Sequence, residues 1–453
     1  MGLILRHFLP AFLQHYPRTA PGVVRVLNAL AACRTPAFGG HVAACTQCGH
    51  TDYHYHSCGD RHCPGCGGSK RAAWLQRQQR DLLPVPYFHL VFTLPHELSA
   101  LILGNRKLMY DGLFASSSQT LQTLGADPKH LGARLGALMV LHTWGQQLQH
   151  HPHIHAVVPG GGLSLDGTTW VASRGNYLLP VPVLGSLFRG KYLAGLRTAY
   201  DAGQLQFAGS TAGLADPVVF QRWLSGLYAM NWVVYAKKPF AGPEVLLRYL
   251  TRYTHRVALS NGRFVRVEGD RVTLSYKDYA DGCQRKELTL EAVELVRRFA
   301  LHILPKGYVR VRQMGLLAHR DRTARLQQCR KLLGAPAASA EPSVPCAASA
   351  AETPIMTIPS PTSAPAAKDT TAAASRNQAC GADLQDNVSA ARMLMLILAA
   401  TETLAWILAV LLADEQRERQ RCTECGRGWM ATIWERARPR GRRHKPAPPM
   451  DTS

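Results

Sequence analysis

Two histidines one residue apart, His153 and His155, stand in the run His151-Pro-His-Ile-His-Ala-Val-Val-Pro-Gly-Gly-Gly162. Read as a strand, residues 153 to 158 send His153, His155 and Val157 to one face and Ile154, Ala156 and Val158 to the other, because side chains alternate with period two. Three apolar side chains then anchor the strand, and two imidazoles stand close enough to share one metal ion. Pro159 and three glycines follow, a backbone that a phosphate could approach closely. The rival reading is a solvent-exposed histidine pair on a half-buried strand. A metal held this way needs a third protein ligand, for which His142, Gln146, Glu97 and His89 are candidates.

A second chemical constellation lies about a hundred residues further on. Trp232 to Lys237 reads as a short apolar strand, and Lys237 and Lys238 end it. Pro243 and Glu244 suit the first turn of a helix. On that helix Val245, Tyr249 and Tyr253 form one stripe, and Arg248, Arg252 and Arg256 form another, rotated by about 100°. Two phenols thus stack one turn apart beside three guanidiniums. The alternative is a core helix with packed tyrosines and a solvated basic face. A phenol has a pKa near 10 and is a weak nucleophile at neutral pH. A divalent ion that polarises a phosphate would supply the help it needs. Histidine pair and tyrosine together point to DNA strand cleavage that leaves a 5′-phosphotyrosine and a free 3′-hydroxyl. Two tyrosines allow two such bonds.

A third group is built from cysteines. Cys45-x2-Cys48 and Cys63-x2-Cys66 are separated by 14 residues, and Gly49 and Gly67 follow the second cysteine of each pair. Two such knuckles fit one tetrahedral zinc, with no open position, hence a structural role. Cys58, His54, His56 and His62 are spare ligands that could replace one cysteine or build a second site. Cys422-x2-Cys425 is a lone knuckle whose partners would have to come from elsewhere.

These parts must be carried by a chain of 453 residues, enough for two or three domains. Lys and Arg number 52 against 30 Asp and Glu, so 52 − 30 gives +22, spread along the chain. Such a surplus argues for a polyanionic partner, most often nucleic acid. The N-terminus has no secretory pattern, so 12 cysteines point to reduced thiols and metal, and to a cytoplasmic setting. Residues 3 to 32 read as two helices, 70 to 83 as a basic helix, and 87 to 94 as a buried strand followed by His96 and Glu97. Residues 99 to 148 read as mostly helical, as do 182 to 230. Hairpins are expected around Asp166-Gly167 and Gly269-Asp270, a helix over 290 to 303, a basic strand over 308 to 312, and a basic helix over 318 to 331. From 335 to 385 the composition turns to Ala, Pro, Ser and Thr, the signature of a linker. Residues 393 to 413 are apolar over a membrane-spanning length, but Glu402 at the centre costs on the order of 2.5 kcal/mol to bury in lipid. A soluble or self-associating helix is preferred there. A basic tail ends the chain.

The runs Cys45-x2-Cys-Gly, Ser57-Cys-x2-Arg-His-Cys-Pro-x-Cys66, Val91-Phe-Thr-Leu-Pro-His-Glu-Leu98, His151-Pro-His-Ile-His155, Trp232-Val-Val-Tyr-Ala-Lys237 and Tyr249-Leu-Thr-Arg-Tyr-Thr-His-Arg-Val-Ala258 together resemble the two-tyrosine, rolling-circle HUH transposases of the IS91 family. The resemblance covers roughly residues 10 to 330. Lys238 stands where a proline is expected before Pro239, and the region beyond 335 does not share the pattern. The resemblance implies an α+β fold: a small zinc-binding domain with helices and knuckles, then an HUH nuclease core of antiparallel sheet with packed helices. It implies Zn²⁺ and a catalytic Mg²⁺ or Mn²⁺, single-stranded DNA at transposon ends and target DNA as partners, and Tyr249 and Tyr253 as nucleophiles. No small-molecule cofactor is expected, and the setting is the bacterial nucleoid. The expected division is 1–83 for the zinc domain, 84–332 for the nuclease, 333–388 for the linker, and 389–453 for the apolar helix, lone knuckle and tail. Two rival readings share parts of this evidence: a rolling-circle replication initiator, and a non-catalytic zinc-bearing DNA-binding regulator.

Overall fold

The structure is a computed structural model that describes residues 1–66, 74, 76–237, 258–279, 281–319, 321–335, 422, 424, 425 and 430–436. Lys238, Arg248, Tyr249, Arg252, Tyr253, Arg256 and the apolar run 393–413 lie outside the described residues. The chain divides into two units. One comprises Met1–Val42, Tyr53–Ser339 and Trp434–Ser453, the other Ala43–Asp52 and Ala340–Ile433.

The first unit is α+β, and its centre is a five-stranded antiparallel sheet. With strands numbered in chain order, and β1 (Gly40–Cys45), β2 (Thr51–Tyr55), β4 (Ala133–Arg134), β7 (Gly161–Ser164) and β8 (Trp170–Ala172) in other sheets, its strands are β3 (Tyr87–Thr93), β5 (Gly136–Trp144), β6 (His150–Pro159), β9 (Val234–Lys237) and β13 (Val311–Gly315), in the order β13-β5-β6-β3-β9. Period-two alternation governs β6 as the sequence dictates. Ile154, Ala156 and Val158 are fully buried in the main core with Phe88, Leu90 and Phe92 of β3. The helices Arg106–Ala126, Val181–Asp201 and Pro217–Ala229 contribute Tyr110, Phe114, Phe188 and Phe220 to that core. Each such side chain contributes about 1.5–3 kcal/mol relative to exposure. The opposite face of β6 carries the histidines.

Residues 99 to 148 are only partly helical. Helices cover Ser99–Gly104 and Arg106–Ala126, but Gly136–Trp144 is a strand. Its run Gly-Ala-Leu-Met-Val-Leu-His-Thr is buried on both faces, so it shows no alternation that distinguishes a strand from a buried helix.

The two N-terminal helices, Gly2–His15 and Pro21–Ala31, form as expected, the second opened by Pro21 in its first turn. Their buried Leu5, Leu9, Phe12, Leu27 and Leu30 share a second core with Val272 and Leu274 and with Leu295 and Phe299. Val272 and Leu274 belong to β11 (Arg271–Asp278), the middle strand of a sheet with β10 (Phe264–Glu268) and β12 (Gln284–Glu291). Leu295 and Phe299 lie on the helix Ala292–Leu301. The expected hairpin around Gly269 is β10–β11, and β12 adds a third strand to it.

The glycines after β6 do not open a path for phosphate. Gly160, Gly161 and Gly162 are buried. A Cβ on Gly160 would meet Pro86 O at 2.9 Å, one on Gly161 would meet Val171 O at 2.5 Å, and one on Gly162 would meet Arg134 O at 2.5 Å. These residues let neighbouring backbones close up against each other.

Candidate metal centre

The histidine face of β6 meets β5 in antiparallel register, with His142 opposite His153 and Val140 opposite His155. One ring nitrogen from each of His142, His153 and His155 lies within 4.8 Å of the others. Of the four third-ligand candidates, His142 therefore completes the set. Glu97 lies beyond the end of β3, where it pairs with the exposed His96. Gln146 and His89 line the adjoining cavity, and His89 touches the cluster from behind. The reading of an exposed histidine pair does not hold: His142 and His155 are buried and His153 is half-buried.

The tautomer of His153 follows from its hydrogen bond. His153 Nδ1 lies 2.8 Å from the carbonyl oxygen of His151, which can only accept, so Nδ1 carries the proton. Burial pulls the His153 pKa down to about 4, so the ring is neutral near pH 7 and its Nε2 presents a bare lone pair. That atom faces His155 Nε2 at 3.1 Å, while His155 Nδ1 bonds His89 Nε2 at 2.8 Å. Burial and the neighbouring imidazoles hold His155 far below the usual histidine range. Of the two His155 tautomers, the one protonated on Nδ1 toward His89 is the one that can take a metal, because it sets its Nε2 lone pair against that of His153 across 3.1 Å. A cation relieves that repulsion, and the second nitrogen of each ring is tied to a carbonyl or another ring, as in oriented metal ligands. Two neutral imidazoles and the buried ring of His142 thus fit a divalent ion, with remaining positions left to water or phosphate oxygen.

The cluster opens into a cavity of about 830 Å³. Lys237, Arg263 and Lys277 bring positive charge to its wall, and Tyr235, Tyr276 and Tyr279 bring rings. Lys237 ends β9 and stands opposite His89 on β3. Cations for phosphates and rings for bases are the two components of a single-strand binding surface. Arg263, Tyr235, Tyr276, Lys277 and Tyr279 were missed by sequence reasoning. For all but Tyr235, which lies on β9, the available signal was the gathering of aromatic and basic residues at the outer ends of the β10–β11 hairpin.

The cysteines sort differently from the expected single site. Cys63 and Cys66 do not join Cys45 and Cys48. They cluster with Cys33 and Cys58 in the first unit. Cys33 and Cys66 sulfurs are 3.4 Å apart, Cys58 and Cys66 3.5 Å, and Cys63 and Cys33 3.7 Å. A hydrogen bond from the Cys58 thiol pulls the Cys63 pKa down to about 5, so a thiolate is ready at neutral pH. Cys45 and Cys48 cluster instead with Cys422 and Cys425 in the second unit. Cys33 carried no spacing signal, and the partners of Cys45 lie 380 positions away. His62 is no spare ligand: its Nδ1 pairs with Asp60, and its Nε2 accepts from the amide of Leu304 at 3.2 Å. His54 and His56 gather around the ring of His41, with centroids 5.1 and 5.8 Å away.

Two family profiles match the chain: one described as "Transposase zinc-binding domain" over residues 4–94, the other as "Putative transposase" over residues 136–325. The "Putative transposase y4qJ" of Sinorhizobium fredii is 48% identical over 331 residues, spanning 73% of this chain and 83% of that protein. The chain belongs to the IS91 family of transposases. This transposase is also 27% identical to the "Transposase for insertion sequence element IS801" of Pseudomonas savastanoi pv. phaseolicola, over 66% of this chain and 70% of that one. A solved structure of the conjugative relaxase TrwC in complex with oriT DNA matches with a TM-score of 0.21 and 16% identity, over 37% of this chain and 71% of that chain. Among the described residues of the transposase, no helix is long and apolar enough to cross a membrane.

Proposed function

We propose that this transposase cuts and rejoins single-stranded DNA at transposon ends and at the target, with Tyr249 and Tyr253 as nucleophiles and His142, His153 and His155 holding Mg²⁺ or Mn²⁺. The observation that carries the reading is the imidazole triad at the floor of a cavity walled by Lys237, Arg263 and tyrosines. When bound, the divalent ion supplies Lewis-acid polarisation of the scissile phosphate. The protein's own part begins with charge: Lys237, Lys238, Arg248, Arg252 and Arg256 hold the strand by its phosphates. The phenol oxygen of Tyr249 or Tyr253 then bonds to phosphorus as the bond to the 3′ oxygen breaks. The phenolic proton leaves to solvent, and the departing strand carries a 3′-hydroxyl. Rejoining is the same exchange in reverse, with a 3′-hydroxyl as attacker. His89 and the His151 carbonyl fix the two ring orientations on which the site depends.

The proposal includes the domain division at 83, 332 and 388 and a bacterial cytoplasmic, nucleoid-associated setting. The test is to mix the full chain with labelled single-stranded oligonucleotides of transposon-end sequence and Mn²⁺, and to look for an adduct that survives denaturant. Replacing Tyr249 and Tyr253 by Phe, singly and together, should abolish the adduct in the double variant. DNA binding with no adduct at any end sequence would replace the nuclease reading with that of a regulator.

A further inference from the structure

We propose that Cys45, Cys48, Cys422 and Cys425 bind a second structural zinc ion, in which the C-terminal knuckle completes the N-terminal one. The family's zinc-binding match ends at residue 94, far short of Cys422.

The geometry is that of a tetrahedral thiolate set and not of two disulfides. Zn–S bonds of about 2.3 Å place tetrahedral sulfurs about 3.8 Å apart. The sulfurs of Cys45 and Cys425 are 3.7 Å apart and those of Cys48 and Cys422 are 3.6 Å apart. All four lie within 4.8 Å of one another. A disulfide would need about 2.05 Å. The first knuckle is already shaped for a metal-bound thiolate. The amides of Gln47 and Cys48 both donate to the Cys45 sulfur, at 3.4 and 3.5 Å. Gly49 then turns with φ +72, which a side chain would resist. The other N-terminal thiols among the described residues, Cys33, Cys58, Cys63 and Cys66, cluster separately, so the two further thiolates of this set come from elsewhere. Cys422-x2-Cys425 supplies them across 374 residues of sequence.

Zinc entering the site displaces the thiol protons to solvent, and four sulfur ligands leave no position for a substrate. Its effect is topological. The ion closes the polypeptide into one long loop, tying the residues beyond the Ala/Pro/Ser/Thr stretch to the start of the chain. The lone C-terminal knuckle and the N-terminal pair are then two halves of one site.

Native mass spectrometry of the reduced full chain should find two zinc ions. The double variant Cys422→Ser with Cys425→Ser should keep one, and Cys63→Ser with Cys66→Ser should also keep one. Iodoacetamide mapping of the unaltered protein guards against misfolded variants. Cys45, Cys48, Cys422 and Cys425 should resist alkylation in zinc and react together after chelation. A single zinc in the unaltered chain, or Cys422 and Cys425 alkylating equally fast with and without chelator, would overturn the proposal. So would two disulfides among these cysteines in protein purified under reducing conditions.

Discussion

The Nε2 atom of His89 lies 2.8 Å from Nδ1 of His155, with the two rings 9° from parallel and their centroids 5.0 Å apart. Burial, aided by the charge of Lys237, brings the His89 pKa down to about 4, so this is a contact between neutral rings. It aims His155 Nε2 at His153. Replacing His89 by Ala should weaken Mn²⁺ binding about 10- to 100-fold, the usual effect of losing a ligand's hydrogen-bond partner. His89→Gln, which can keep a bond to Nδ1, should recover most of the loss. Calorimetric titration with Mn²⁺ reads both, and an unchanged affinity in His89→Ala would remove His89 from the site.

Each member of the triad should matter more than its support. Ala at His142, His153 or His155 should lower cleavage of a single-stranded oligonucleotide about 100-fold or more at saturating Mn²⁺. Circular dichroism should show the fold retained. A His142→Ala protein with full cleavage would show that the third ligand comes from elsewhere.

The cavity wall should be read out by salt. Lys237→Ala should weaken binding of unrelated single-stranded sequences about equally and reduce the slope of log affinity against log salt by roughly 0.7. Lys277→Ala should act in the same direction. If binding falls without any change in slope, the lysine does not contact a phosphate.

A buried histidine outside the triad gives the fold an acid limit. His302 is fully buried, donates from Nε2 to the carbonyl of Leu148 at 3.1 Å, and takes the Thr143 hydroxyl at Nδ1. Desolvation lowers its pKa to about 3 in the folded chain, against about 6.5 unfolded. Above pH 6.5 neither state binds the proton, so this group has no effect. As pH falls from 6.5 toward 3 only the unfolded chain takes it up, and stability is lost. At pH 5 the loss should be about 2 kcal/mol. Urea unfolding at pH 7 and pH 5 measures it, and His302→Gln should show a smaller drop between the two. Equal drops in both proteins would assign the acid sensitivity to other groups.

The core holds a conventional liability. Phe92 is fully buried and meets Phe188 edge-on at 5.2 Å. Phe92→Ala should cost about 3–5 kcal/mol, visible as a lowered urea midpoint with unchanged slope.

How far the sequence revealed this arrangement depends on the range of the signal. The orientation of His153 and His155 was readable because they alternate with the apolar Ile154 and Ala156, so the period of two shows. The same rule failed one strand earlier. Gly136–Trp144 is buried on both faces, and its continuous apolar pattern does not distinguish a strand from a buried helix. His142 could therefore be named as a candidate ligand but not placed. Local spacing found the knuckles but paired them wrongly. Cys33 has no partner near it in sequence, and Cys45 meets Cys425 across 380 positions. Such pairings are set by tertiary structure, which spacing does not encode.

All three imidazoles project from β5 and β6, strands that are hydrogen-bonded along both edges within the sheet. Ligands mounted on interior strands have little room to adapt to the ion they receive. Amide hydrogen exchange in β5 and β6 should accordingly be almost the same with and without Mn²⁺. Discrimination among metals would then come from fixed nitrogen spacing, so an ill-fitting ion is rejected and not accommodated.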